Sequence, residues 1–285
     1  MKAIKNVLAV VVTYNRIICL RECLEALNRQ TCKDFDILVV NNGSTDGTKE
    51  YLETQNDLII VNQENLGGAG GFYAGMKYMY EHGYEWLWMM DDDGIPEENQ
   101  LNELLKYGKC NNPVLNAMVL DKKDHSQLAF GVGKFASSYL DELTTKLFDP
   151  FNGTFINKIV IEKIGYIKKE MFIWGDEQEY LRRMKANGFI PKTVTSAIHF
   201  HPKEKGKRLY VFPFWKKFFI LDKPRHLSKI YYRNLGDIDK NYDTDWSSIF
   251  RRILLHVIAF TWRFRWLEIY KFLRYYRNGM NNKFE

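Results

Sequence analysis

The chain has 285 residues, 46% of them hydrophobic and 15% aromatic, which is enough apolar material to bury a core and excludes a disordered chain. Its formal charge of +6 is unevenly divided: residues 1–199 carry 22 Lys and Arg against 27 Asp and Glu, whereas residues 200–285 carry 19 against 8. An acidic body and a basic, aromatic C-terminal part call for different partners, the second anionic; with no nucleic-acid reading motif among the basic residues, nucleic acid is not expected to be that partner.

Residues 6–13, NVLAVVVT, form a continuous β-branched run, the pattern of a strand buried on both faces. A helix is predicted at about 16–30, a second strand at 35–41, a helix at about 46–55 after the turn-rich NGSTDGT, and a third strand at 57–62. The glycine-rich NLGGAGGFYAG (65–75) leads into a helix at about 70–82, and a fourth strand follows at 84–90. Strands and helices alternating at this interval predict right-handed crossovers and a mainly parallel sheet flanked by helices. Beyond Pro96 the pattern predicts a helix near 97–108, a strand near 113–120, irregular chain to about 155, short and longer helices near 158–165 and 176–187, and a strand near 190–200.

Residues 205–245 show no clear period, and one helix is predicted over about 246–277. The compact domain is placed at 1–204 and a C-terminal extension at 205–285. Cys19, Cys23, Cys32 and Cys110 have neither CxxC spacing nor disulfide density and read as reduced thiols of a cytosolic protein. The N-terminal apolar run lacks a signal-peptide cleavage site, and no run reaches the roughly 18 residues of a spanning helix.

In an open parallel sheet, ligands bind beyond the carboxyl ends of the strands. Thr13, Asn41, Asn42, Asn65 and the triplet Asp91, Asp92, Asp93 all fall at such ends. Three adjacent carboxylates repel one another unless a cation relieves them, and oxygen donors select hard ions such as Mg2+ or Mn2+. Strand alternation lets Asp91 and Asp93 share one face; a solvated acidic turn is the competing explanation. The small polar residues of VVTYNR (11–16) and NNGSTDGT (41–48) suit hydrogen bonds to a base and ribose, and the glycine run suits close backbone approach to a ligand. That run is not a GxGxxG fingerprint and follows the third strand, which disfavours a dinucleotide-binding domain.

Taken together, VVTYNR, NNGSTDGT, NLGGAGGF, WMMDDDGIP, FIWGDEQEYLRR and AIHFHP over about residues 6–202 resemble the inverting GT-A glycosyltransferases of family 2, in the galactofuranosyltransferase and rhamnosyltransferase branch. The resemblance implies a GT-A fold and a UDP-sugar donor, with galactofuranose favoured and dTDP-rhamnose the alternative. It implies Asp93 and Asp91 as metal ligands, Asp91 and Asp92 near the nucleotide, and Thr13, Asn42 and Asn65 around it. Many relatives carry aspartate where Asn42 stands. A histidine after the last core strand completes the metal site in the family; alignment favours His201, with His199 as runner-up on the same strand face. A catalytically idle nucleotide- or glycan-binding protein of the same fold is the reading from another class.

FIWGDEQEYLRR (172–183) offers Asp176, Glu177 and Glu179 in a first helical turn, where acidic residues also complement the helix dipole. An inverting transfer needs one base on the acceptor hydroxyl. The resemblance assigns Glu177, in place of the usual aspartate, with Asp176 as alternative; Trp174 offers a ring for the acceptor sugar. In the tail, Ile249, Ile253, Val257, Phe260, Phe264 and Leu267 recur at helical spacing among arginines. This predicts an amphipathic helix lying on an anionic membrane. The acceptor expected from this is a lipid-linked glycan at the cytoplasmic face of the plasma membrane, in bacterial surface polysaccharide synthesis such as O-antigen or capsule. The oligomeric state has no signature in the sequence.

Overall fold

The computed structural model describes residues 5–109, 111–130, 135–203, 207–212, 217–242 and 245–284. The first half alternates as expected: β1 (Val7–Thr13), α1 (Ile17–Asn28), β2 (Phe35–Asn41), α2 (Thr48–Glu53), β3 (Leu58–Asn62), α3 (Gly67–Glu81) and β4 (Trp86–Asp91). There follow β5 (Ile95–Pro96), α4 (Gln100–Gly108), β6 (Val114–Asp121), β7 (Leu143–Thr144), β8 (Thr154–Asn157), α5 (Lys158–Ile164), α6 (Asp176–Ala186) and β9 (Lys192–His201). The C-terminal part contains β10 (Arg208–Tyr210), β11 (Phe219–Leu221), α7 (Ser228–Tyr242), α8 (Trp246–Thr261) and α9 (Trp266–Met280). Two compact units result: Met1–Lys169 with Arg183–Glu204, and Glu170–Arg182 with Lys205–Glu285. Residues 170–182, which precede the boundary drawn from sequence, belong to the second unit.

In the first unit the sheet runs β3-β2-β1-β4-β8-β6-β9-β5, with β7 beside β9. β1 lies parallel to β2 and β4, so Val12 is level with Asp91 and Thr13 with Asn41. All of β1 is buried, as its unbroken apolar run requires. The sheet is mixed beyond β4, because β8 runs antiparallel to both β4 and β6. Trp86 stacks on Phe155 across this change of direction, with ring centroids 4.5 Å apart.

The glycine run has a different use from the one expected. It is itself the first turns of α3, and a Cβ at Gly71 or Gly75 would lie 2.4 Å from Val12 Cγ1 or 2.5 Å from Val10 Cγ1. The missing side chains let α3 press onto β1, as a packing device.

The C-terminal unit also departs from expectation. Residues 228–242, assigned no period, form the long helix α7, and the single tail helix is broken at Trp262–Arg265, where Phe264 takes a left-handed φ of 53°. The expected apolar stripe is split by this break. Ile249 and Phe260 are buried with Tyr232, Phe272 and Tyr276, while Phe264 and Leu267 are exposed. Arg263 donates to the Tyr210 carbonyl, Arg265 pairs with Asp222 and Lys271 with Glu268, so several tail cations hold the unit together. Among the described residues no helix is long and apolar enough to cross a membrane. Cys19, Cys23 and Cys32 are free thiols, and Cys110 lies outside the described residues.

α7 and α9 touch backbone to backbone. An added Cβ would lie 2.1 Å from the Tyr276 carbonyl oxygen at Gly236 and 1.9 Å from that of Arg233 at Gly279. Gly236→Ala and Gly279→Ala are each expected to lower unfolding free energy by about 3 kcal/mol through overpacking, and urea unfolding will show it as a lower midpoint. His256 is stacked on Phe272 with centroids 4.3 Å apart, and burial pushes its pKa down to about 4. The unfolded chain, with a histidine pKa of about 6.5, therefore binds the proton first; stability is full above that value and falls as pH drops toward 4, by at most ~3 kcal/mol. Unfolding midpoints measured from pH 7.5 to 4.5 should decline more steeply in the wild type than in His256→Phe.

Candidate functional site

β4 ends in its three carboxylates at the edge of the sheet, and each is treated differently. Asp92 is 3% exposed and turns inward, accepting from Thr13 Oγ1 at 2.8 Å and from Arg16 Nη1 at 3.3 Å. Burial raises its pKa to about 6, against the opposing pull of Thr13 and Arg16. Asp93 pairs with Arg16 Nη1 through Oδ2 at 2.8 Å and with His201 Nε2 through Oδ1 at 3.1 Å. Burial alone would raise the Asp93 pKa, but His201 and Arg16 outweigh it and hold the carboxyl below its ordinary value. For His201, burial alone would lower the pKa; the Asp93 and Asp91 carboxylates reverse this and raise it.

Asp91, Asp93 and His201 converge, each offering one donor atom within 4.8 Å of the others. β9 brings the histidine there from the far side of the chain, running parallel to β6 with Asp121 level with His201. His201 Nδ1 lies 2.8 Å from the Pro202 carbonyl. A carbonyl can only accept, so Nδ1 carries a proton, and a neutral ring would then turn its Nε2 lone pair on the Asp93 carboxylate. Two acceptors at that separation require a proton or a cation, and carboxylates with one imidazole fit a divalent cation. His199 has another task. It is fully buried, its pKa is pushed down to about 3 by burial, and it lies under Gly94, where a Cβ would approach Nε2 to 2.4 Å.

The other residues expected to touch a nucleotide are hydrogen-bonded to one another or to nearby backbone. Thr13 is buried with its hydroxyl on Asp92, and Asn42 is buried with its amide donating to the Gly67 carbonyl and accepting from Gln63. Asn65 is exposed and accepts from the Gly67 N–H, which fixes the start of α3.

In the C-terminal unit, the loop before α6 is strained: Phe172, Trp174 and Gly175 have φ of 63°, 60° and 105°. Asn234, fully buried, spans three of its carbonyls, with Nδ2 2.8 Å from Met171 O, 3.1 Å from Ile173 O and 2.9 Å from Trp174 O. Arg233 adds a 2.8 Å bond to the Glu170 carbonyl. At the helix start Asp176 is 2% exposed, whereas Glu177 is half-buried and accepts from the Gly175 N–H at 3.3 Å. Glu179 is fully buried and accepts from Tyr242 Oη at 2.7 Å, a structural use of the third acidic residue. Trp174 is half-buried, with Lys223 Nζ 4.4 Å from its ring centroid.

Sequence reasoning missed Arg16, Arg233 and Asn234. Arg16 ends the quoted VVTYNR, and its charge opposite an acidic triplet was the available signal. For Asn234 no local pattern distinguishes a buried amide that holds a distant loop.

Comparison with known proteins identifies the class to which this mixed α/β fold belongs. Residues 8–158 match the profile of Glycosyl transferase family 2. The galactofuranosyltransferase GlfT1 of Mycolicibacterium smegmatis is 30% identical over 213 residues, covering 69% of this chain and 70% of that protein. GlfT1 of Mycobacterium tuberculosis is 31% identical over 217 residues, covering 70% of each. Among solved structures, S. aureus TarS 1–349 in complex with UDP-GlcNAc aligns with a TM-score of 0.59 at 13% identity, over 98% of this chain and 92% of that one. Mannosyltransferase PcManGT from Pyrobaculum calidifontis, in complex with GDP-Man and Mn2+, aligns at 0.54 and 16% identity, over 91% and 70%. The chain belongs to glycosyl transferase family 2 and is a glycosyltransferase with the GT-A fold.

Removing the Asn234 amide leaves buried carbonyls of a strained loop without a donor. Asn234→Ala is expected to cost about 2 kcal/mol of stability and to speed hydrogen exchange or proteolysis at residues 170–175 before the rest of the chain.

Proposed function

We propose that this enzyme transfers galactofuranose from UDP-galactofuranose, with inversion, to a lipid-linked glycan in the synthesis of a bacterial surface polysaccharide. The observation that carries the reading is the convergence of Asp91, Asp93 and His201 at the carboxyl end of β4. The two relatives named galactofuranosyltransferase support the sugar, and neighbours holding UDP-GlcNAc or GDP-Man with Mn2+ support the donor class.

Asp91, Asp93 and His201 would hold the cation, and Mn2+ tolerates the imidazole among oxygen donors better than Mg2+ does. When bound, the cation supplies positive charge against the diphosphate that leaves. Arg16 already bridges Asp92 and Asp93 and keeps the triplet from flying apart before the donor arrives. Glu177, the more accessible carboxylate of its pair, takes the proton from the acceptor hydroxyl. Asp176, buried beside it, supports the helix start. One base is enough for inversion, with no second carboxylate acting as nucleophile. Trp174 offers its ring to the acceptor sugar.

The exposed Trp246, Phe250 and Leu254 of α8, with Trp262, Phe264, Trp266 and Leu267 at the break, form an aromatic surface in the basic unit. That composition suits the headgroup region of an anionic membrane, which would keep the enzyme peripherally on the inner face of the plasma membrane near its acceptor.

Calorimetric titration of UDP should show binding that depends on Mn2+ and is lost in Asp93→Ala. Binding that ignores the metal, or survives the substitution, would contradict the assigned ligands; a dTDP donor preferred over UDP would transfer the reading to rhamnose. Glu177→Gln should lower kcat by about 10²–10⁴-fold, the range of a lost general base, with UDP affinity unchanged. The same loss in Asp176→Asn but not in Glu177→Gln would reassign the base.

A further inference from the structure

The C-terminal unit contains a cavity of about 310 Å³ between the β10–β11 hairpin, α7 and α8. Ser248, Arg251, Arg252 and Leu255 follow one another at helical spacing and present one face of α8 to it, with His256 at the same wall and Tyr231 from α7 opposite. Ile220 and Leu235 add apolar surface. A volume of this size holds one or two sugar rings or a phosphate with its neighbour.

The charges lining it are not balanced. Arg252 is neutralised by the fully buried Asp239, 2.9 Å away, which also accepts from Tyr276 Oη. Arg251, one residue earlier, is exposed and has no ion-pair partner among the described residues. His256 is 4% exposed; its Nδ1 lies 2.8 Å from the Arg252 carbonyl and therefore carries the proton. Its Nε2 is buried without a hydrogen-bond partner among the described residues. That nitrogen is closed to the cavity, so what the wall offers an anion is the charge of Arg251.

The cavity is also linked to the loop assigned to the acceptor, within the same unit. Lys223 Nζ lies 5.5 Å from the Tyr231 ring centroid and 4.4 Å from that of Trp174. We infer that this cavity is a second acceptor subsite, which binds a phosphorylated saccharide portion of the acceptor through Arg251 and the Tyr231 ring. The inference rests on the transferase reading for its biological occupant, and on the cavity's own chemistry for its ligand class.

The test uses the full chain saturated with UDP and Mn2+, titrated with galactose 1-phosphate and followed by calorimetry or ligand-observed NMR. Binding is expected, weakened about tenfold in Arg251→Gln by loss of one charge-assisted contact, with inorganic phosphate and methyl galactoside both binding more weakly than the sugar phosphate. Tyr231→Leu, which removes the ring, should also weaken binding, while UDP affinity stays within about twofold in both variants. Equal affinity in wild type and Arg251→Gln would overturn the subsite, as would binding of galactose 1-phosphate that appears only when UDP is left out. Displacement by phosphatidylglycerol vesicles would also overturn it, marking the cavity as a lipid-headgroup site. If UDP fails to bind but Arg251-dependent binding of the sugar phosphate persists, the subsite stands and the donor assignment falls.

Discussion

Three carboxylates at the end of one buried strand repel one another, and the surrounding structure is arranged to relieve that repulsion. Asp92 is turned inward onto Thr13 and Arg16, Asp93 is shared between Arg16 and His201, and Asp91 is left to face the same point as Asp93 and the histidine. Each solution draws on a different element: the end of β1, the loop after it, and the end of β9. Parallel pairing of β1 with β4 puts Thr13 beside the triplet, and the antiparallel insertion of β8 spaces β6 and β9 so that His201 reaches it.

The opposing carboxylate and imidazole explain the electrostatic pattern. Burial penalises every charge in the cluster, so isolated groups would be neutral; Asp93 and His201 instead sustain each other's charged forms, while Asp92, more deeply buried, drifts upward. A divalent cation would replace the proton and the guanidinium as the source of positive charge.

A second constraint operates in the C-terminal unit, where α7 serves as a beam. Its Gly236 lets α9 lie against it, its Asn234 and Arg233 hold the strained loop before α6, and its Asp239 forms an ion pair with Arg252 and accepts from Tyr276. Contacts to α6 residues and to the tail thus originate from one helix. The charged tail, which in sequence looks like a free amphipathic surface, is in part consumed in this framework, and what remains exposed combines aromatic side chains with Arg251, Arg274 and Arg277.

Local pattern determined much of this protein. Buried β-branched runs marked β1 and β2, turn chemistry marked their ends, and the acidic triplet with a histidine near a late strand located the cation cluster, because these signals lie within a few residues of one another. Tertiary structure decided the rest. Only packing separates His201, aimed at Asp93, from His199, sealed under Gly94 two residues earlier on the same strand. Thr13 and Asp92 are 79 positions apart and Asn234 lies 60 from Trp174, whose carbonyl it holds, and no period in a sequence reports which distant partner a buried polar group will find. The glycines of α3 and the amide of Asn234 take their meaning from the backbone pressed against them, which exists only once the chain has folded.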